Sequence, residues 1–488
     1  MGKGHQELPG FYYDTEKQRY FPLKGAIPGT RSFKINAPSA TVTQTKQEKR
    51  SRRKLSKLLM ARELNGNSVV VPCRNFTSEL LNLYISHPRV WKYPDTQMTA
   101  DSGLEHISFY TQTPMGVRHL PFLITATLNG TLSLFQIGSG DDHSMISIPE
   151  SVHPVIEEQT TNVPGLLPDP LFPAESWQLS SRISCLKLPR PHGNYTNSTN
   201  CHALITTMGS ETCGGSLCTL NSNSTLHDFP RNTIRQVTTF DGTCWTAEFN
   251  RDSTHAVIGT NLGAALVSLE TGFRSWILRC KSDIFAQELG LSGNVIMCGL
   301  RNGAIVMVDF REKFRRHVIN FDQCQTKMPS QRKNDTKSQW LKVQGKLKPS
   351  GTIVMPSSVC SLATLQSDDR YFLASSMNGS MALYDHRMTR SCPVQLYEGH
   401  VNSHSMLHLS VDDSERFVIS GGEDKYLRLW NIKSGELLLE KKFWDSVPVA
   451  VSWGTSLSCF FVEDSFSTEP NWAAWFGSRE GIYRLQWR

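Results

Sequence analysis

The sequence is short of the features that mark most catalytic or membrane classes. No stretch approaches the ~18 consecutive apolar residues that a membrane helix needs, and the first residues, MGKGHQELPGF, contain no apolar core of a secretory signal. Gly2 is followed at position 6 by Gln6, not Ser or Thr, which argues against myristoylation. The twelve cysteines show no paired spacing, and no pair of histidines follows Cys213 and Cys218 at a zinc-finger distance, so reduced thiols in the nucleus or cytoplasm are the expectation. The Asn-x-Ser/Thr triplets, such as Asn129-Gly130-Thr131, would then carry no glycan. There is no GxxxxGK[ST] phosphate loop, no Gly-x-Ser-x-Gly elbow and no HExxH. His400, His404 and His408 are spaced four apart, which would line one face of a helix, but they head a β-strand, where that spacing fails. The reading is a non-enzyme with no metal, no cofactor and no membrane association.

What is present is a repeat. Tyr384–Asn431 runs from YDHR through YEGHVN to FVISGGEDKYLRLWN. Phe417 to Ser420 alternates as a strand, Gly421–Lys425 is a tight turn, and Tyr426 to Ile432 is the next strand. Gly399-His400 opening the unit and Trp430-Asn431 closing it make one nearly complete WD repeat. In such a repeat His400, Ser420, Asp424 and Trp430 are expected to hydrogen-bond in a chain across the blade, a structural network rather than a site.

One blade cannot bury its own faces, so further repeats are required. The motif of apolar strand, Gly-containing turn and second apolar strand recurs at 122–137, 256–269, 295–310, 372–385 and 472–487, and more weakly around Gly214-Gly215. Gly263 and Gly303 are 40 residues apart, within the ~40–45 of a propeller blade. Gly303 to Gly379 is nearly double that, and the excess is an insert at about 312–350 with ten basic and three acidic residues. The predicted fold is all-β, a WD40 β-propeller of seven blades over 104–488, interrupted by that insert, which is expected to be a loop without packed structure.

The N-terminal part divides into an aromatic segment (1–45), a basic helix (46–66) and a connecting segment (67–103). Phe11, Tyr12, Tyr13, Tyr20 and Phe21 are too many aromatics for a free tail, so the first segment should dock on the propeller or on a partner. In the second, Leu55, Leu58, Leu59 and Arg62 fall on one face of a short amphipathic helix that Asn65-Gly66 would stop. It could pack on the rim or lie in another protein's groove; the stripe has no Trp or Phe, which argues against a membrane surface. The cluster Lys49–Lys54 reads either as a nuclear import signal or as a solvated helix face, and the basic segments together fit nucleic acid or an acidic partner.

The ELPGFYYDTEKQRYFPL segment, the LYDHR…YEGHVN junction and the RLWNI strand resemble the WD-repeat cullin-4-associated factor family, and the likeness extends over nearly the whole chain. That resemblance implies a non-catalytic substrate receptor of a cullin-4 RING ubiquitin ligase, attached through the adaptor damage-specific DNA-binding protein 1. Family members carry a Trp-Asp-x-Arg motif whose arginine faces the adaptor. The matching positions here are Asp385 and Arg387 and, one repeat earlier, Asp309 and Arg311, with Tyr384 and Val308 where the family has Trp. Many members also carry a short docking helix, and Leu55, Leu58, Leu59, Arg62, Leu64 and Gly66 look similar, with Asn65 as an extra residue before the glycine. Two arginines on adjacent blades would make a patch of rigid donor forks, a residue type enriched at interface hot spots. The alternatives are that each Asp-x-Arg pair only braces its own loop, and that the chain is a nuclear scaffold binding RNA or chromatin through its basic segments.

Overall fold

Alternating apolar residues and glycine turns produce seven consecutive antiparallel sheets that meet around one axis. The computed structural model describes residues 11–14, 19–22, 59–60, 63, 76–113, 116–138, 147–154, 168–189, 201–210, 213–223, 231–280, 282–290, 293–309, 316–318, 341–344, 346–387, 393–454 and 473–487. Contacts divide the chain into Met1–Met60 and Ala61–Arg488. In the first unit Phe11–Asp14 pairs antiparallel with Arg19–Pro22, with Tyr12 opposite Phe21 and Tyr13 opposite Tyr20.

In the second unit, blade 1 starts at Gly103–Thr113, blade 2 at Ile183–Lys187, blade 3 at Cys244–Phe249, blade 4 at Ile284–Leu289, blade 5 at Val359–Thr364, blade 6 at Leu409–Val411 and blade 7 at Ala450–Gly454. These are the inner strands, and the rest of each blade meanders outward from them. All inner strands run the same way. Their starts and the turns between second and third strands therefore share one face, the entry face. The turns after third strands share the opposite face, the exit face. The second-to-third turns need a left-handed residue, and Gly263, Gly303 and Gly379 supply it at φ 132°, 87° and 83°. At Gly303 a Cβ would stand 2.5 Å from the Met355 carbonyl oxygen, so no other residue fits without a shift.

The core is a ring. Among the described residues one cluster of buried side chains occupies each of the seven blade junctions, for example Val257 and Ala264 of blade 3 against Ile284 and Ile296 of blade 4. Closure comes from a strand outside the repeats: Arg89–Tyr93 pairs with Gly481–Gln486 and forms the fourth strand of blade 7, with Glu150–His153 as a fifth. The helix α1 (Phe76–Ile85) precedes that strand and lies over the junction of blades 6 and 7. Trp487 Nε1 donates to the Ile85 carbonyl at 2.7 Å, and Asn431 Nδ2 donates to Asn82 Oδ1 at 3.0 Å.

Two boundaries differ from expectation. The propeller does not begin at 104: residues 89–93 of the supposed connecting segment close it, because a propeller's last blade is one strand short until the opposite end of the chain supplies it. The basic insert is not a plain loop either. Lys346–Val354 is the outer strand of blade 4, and Leu341–Gln344 with Arg316–Val318 extends the blade 3 sheet. Their polar composition hides them, since an outer strand has little apolar surface to bury.

Trp487 stacks on Trp453 (5.3 Å between centroids) and is 1% exposed. Trp487→Ala should lower unfolding free energy by about 3–5 kcal/mol, seen as a fall in the urea midpoint, and Trp487→Phe by clearly less.

Candidate functional site

The third strand of blade 5, Met381–Asp385, delivers Asp385 to the exit face and turns there. Tyr384 stands where the family pattern has Trp, and it stacks on Phe372 at 5.7 Å between ring centroids, so an aromatic still pins the strand end. The Asp385 carboxylate is buried and both oxygens are used: Oδ1 accepts from the Arg387 backbone N (2.9 Å) and Nε (3.0 Å), and Oδ2 accepts from Nη2 (2.6 Å). The Arg387 guanidinium hydrogen-bonded to it holds the Asp385 carboxyl down at about 2. Arg387 itself is 52% exposed, so the Nε–Nη2 edge of the fork is spent on the aspartate and Nη1 is left for another acceptor.

The exit face carries a second arginine that the motif does not mark. Arg370, in the loop just after Asp368-Asp369, ion-pairs with Asp368 at 3.1 Å and is 54% exposed. The His386 backbone N donates to its carbonyl at 2.9 Å, which ties this loop to the Arg387 turn. Glu415 of blade 6 accepts from the backbone N of Ser367 at 2.8 Å and also from that of Gln366, so neighbouring loops interlock. The only sequence signal for Arg370 is its place two residues after Asp368.

Asp309 ends the corresponding strand of blade 4, Ala304–Asp309, opposite Val295 and Lys346. Its partner Arg311 lies outside the described residues, as do Leu55, Leu58, Arg62 and Leu64. In the expected helix, residues 59, 60 and 63 are helical, and Leu59 and Met60 are 43% and 63% exposed.

The blade 6 residues do not form the expected single chain. Ser420 Oγ and His400 Nε2 are 3.3 Å apart, and His400 Nε2 also meets the Gly421 carbonyl at 3.1 Å. Trp430 Nε1 instead donates to the Glu398 carbonyl (2.9 Å), with its ring edge-on to His400 at 6.1 Å. Asp424 turns to Arg428, which is 5% exposed and donates to both of its oxygens and to Glu440. Arg428 stands two residues before Trp430 on the same face of the strand, close enough to take the aspartate. Burial lowers the His400 pKa, and the Arg428 charge lowers it further, so the ring is neutral.

The axis holds charges the sequence does not group. Lys187 of blade 2 stands 3.7 Å from Glu248 of blade 3 and 3.9 Å from Glu288 of blade 4. Glu105 of blade 1, bonded by Ser452 Oγ at 2.9 Å, adds a third carboxylate near the same ammonium. Burial raises the Glu105 pKa, while Glu248 and Glu288 together raise that of Lys187 against its own burial. His408 lies in the same channel. Burial, reinforced by the Lys187 charge, pushes its pKa down to about 4.

The sign of the His408 effect is definite. Below the ordinary value of 6.5 the unfolded chain takes up a proton that the folded chain refuses until about 4, so His408 costs stability progressively as pH falls through that window. His408→Gln should flatten the fall in urea midpoint between those pH values; an unchanged slope would remove His408 as its source.

A propeller with an arginine rim of this kind has relatives among known proteins. Residues 335–446 match the family described as the DDB1- and CUL4-associated factor 4 beta-propeller domain. The chain is 24% identical over 444 residues to DDB1- and CUL4-associated factor 4 of Homo sapiens, covering 88% of this chain and 78% of that protein. The Bos taurus protein of the same name is 24% identical over 447 residues with the same shares. DDB1- and CUL4-associated factor 4-like protein 2 of Homo sapiens is 30% identical over 157 residues, 32% of each chain. The likeness to the human and bovine proteins thus runs far past residues 335–446, and over most of its length the chain is similar to DDB1- and CUL4-associated factor 4.

Proposed function

We propose that this protein is a non-catalytic substrate receptor of a cullin-4 RING ubiquitin ligase, docked on the adaptor DDB1 by its exit face and presenting a protein substrate elsewhere. The observation that carries the reading is Arg387: an exposed guanidinium whose orientation is fixed by a buried, ionised Asp385 in a chain whose relatives are named for association with DDB1 and CUL4. A fork held before binding loses less side-chain entropy on docking, where ordering one long side chain otherwise costs about 0.5–1.5 kcal/mol. Arg311 would repeat the arrangement on blade 4, Arg370 would widen the patch, and Leu55, Leu58, Leu59, Arg62 and Leu64 would add an apolar helix. Lys49–Lys54 is suited to nuclear import.

The test is recovery of DDB1 by the full chain. Arg387→Ala should cut it about tenfold, the ~1.4 kcal/mol typical of an interface hot spot. Arg387→Lys should rescue little, because an ammonium cannot bridge both carboxylate oxygens and a partner at once. Full recovery by both the Arg311→Ala/Arg387→Ala variant and a variant lacking 55–66 would sink the assignment.

A further inference from the structure

The junction of blades 2 and 3 carries a run of arginine and aromatic side chains at its outer margin. The fourth strand of blade 2 is Arg231–Thr239, and that of blade 3 is Arg274–Cys280. Along the latter, alternation packs Leu278 and Cys280 against blade 4 and sets Trp276 into the junction with blade 2. Arg279 falls on the Trp276 side, its guanidinium 5.1 Å from that ring. The Arg274 guanidinium stands 5.5 Å from the ring of Phe240, and Phe240 meets Trp276 edge-on at 6.5 Å. Guanidinium, ring, ring and guanidinium thus form one continuous ladder. Across the junction, Arg235 Nη2 donates to the Glu270 carbonyl at 2.9 Å, and Arg274 Nη1 donates to the Thr239 carbonyl at 2.7 Å.

The protein does not meet the charge of this ladder. Arg235, Arg274 and Arg279 are all exposed, and among the described residues none of them has an ion pair. Of the carboxylates close in sequence, Asp283 is taken by Arg301 at 3.0 Å, while Asp241 and Glu270 form no ion pair among the described residues. The carbonyl partners fix two of the guanidiniums without neutralising them, and each keeps N–H groups to spare. The sheet continues outward with charge of the same sign. Lys342 stands opposite Arg279 in register, and the strands Leu341–Gln344 and Arg316–Val318 contain no acidic residue. Phe273, just before the blade 3 strand, is 72% exposed, so its ring contributes nothing to the core.

Three features define what fits. Positive charge is repeated: Arg274 and Arg279 are five residues apart on one strand, about 16 Å at the ~3.3 Å rise of a strand, which a lone phosphate or carboxylate cannot bridge. The ligand is therefore a polyanion. Guanidinium planes laid on rings, and an open phenylalanine, are flat surfaces on which nucleobases stack and carboxylate side chains do not. Stacking also needs base faces that are free, and a duplex offers none along its length. We propose that the outer margin of the blade 2–blade 3 junction binds a single strand of nucleic acid, with phosphates on Arg235, Arg274 and Arg279 and a base on Phe273.

The proposal is independent of adaptor docking, and full-length protein tests it. Fluorescein-labelled dodecauridylate is titrated and binding is read by fluorescence anisotropy, with saturation expected at about 10 μM protein at low salt. Arg279→Gln should lower affinity at least threefold and flatten the plot of log affinity against log salt by about 0.7, the share of one phosphate contact on a single strand. Arg235→Gln/Arg274→Gln/Arg279→Gln should lower affinity by about thirtyfold or more. Phe273→Ser should lower it about fivefold with the salt slope unchanged, because stacking releases no counterion. Lys49→Gln/Arg50→Gln/Arg52→Gln, in the N-terminal basic cluster, should bind as the unsubstituted protein does. DDB1 recovery by the three-arginine and Phe273→Ser variants should also be unchanged. Absent or unsaturable binding, equal affinity for a duplex or a dodecaglutamate peptide, or undiminished binding in the three-arginine variant would overturn the proposal. So would an unaffected Phe273→Ser, binding lost through the N-terminal cluster, or a fall in DDB1 recovery that places this surface in the adaptor interface.

Discussion

The pairing of Arg89–Tyr93 with Gly481–Gln486 is the constraint on which the remaining geometry depends. A propeller has no central scaffold; each blade is held only by its two neighbours, and the ring is continuous only if the first and last elements meet. Here they meet across most of the chain, and Thr96 Oγ1 accepts from the Ile482 backbone N at 2.8 Å across a separation of 386 residues. Such long-range pairing is expensive in loop entropy and slow to form. The tryptophans at this closure, Trp91, Trp475 and Trp487, are nearly fully buried, so the largest apolar side chains stand where the ring is joined.

Closure brings single residues into register. Glu105, Lys187, Glu248 and Glu288 lie on four different strands, none with a charged neighbour in sequence that would mark it, and only the ring sets them around one ammonium. One lysine among three carboxylates is an arrangement that no single blade could make. This charged cluster lies along the axis, while Arg370 and Arg387 stand on the exit face.

The repeat itself was legible because it obeys local rules. The glycines at 263, 303 and 379 mark turns that need positive φ, and the apolar alternation around them marks strands that face neighbouring blades. Seven blades could be counted from those signals, including the weak echo around Gly214-Gly215, which is the second and third strands of blade 2. The closing strand 89–93 and the outer strand 346–354 escaped, since both are recognised by what they pair with and not by their own composition. Asp385 and Arg387 were legible as a spacing, but not the mechanism: that Tyr384 replaces Trp by stacking on Phe372, or that both carboxylate oxygens are engaged, is decided by packing. In blade 6 the familiar residue types were present, yet Arg428 captured the aspartate, a competition between partners that a motif cannot express.

The Asp385–Arg387 clamp has a consequence for how a bound partner could leave. Its carboxylate titrates near 2 and its guanidinium far above neutrality, so neither member changes charge across the range in which a histidine would. Acidification therefore does not unlock the clamp itself. A partner held by this clamp would have to leave through competition or a covalent change elsewhere, because titration of the clamp itself offers no route.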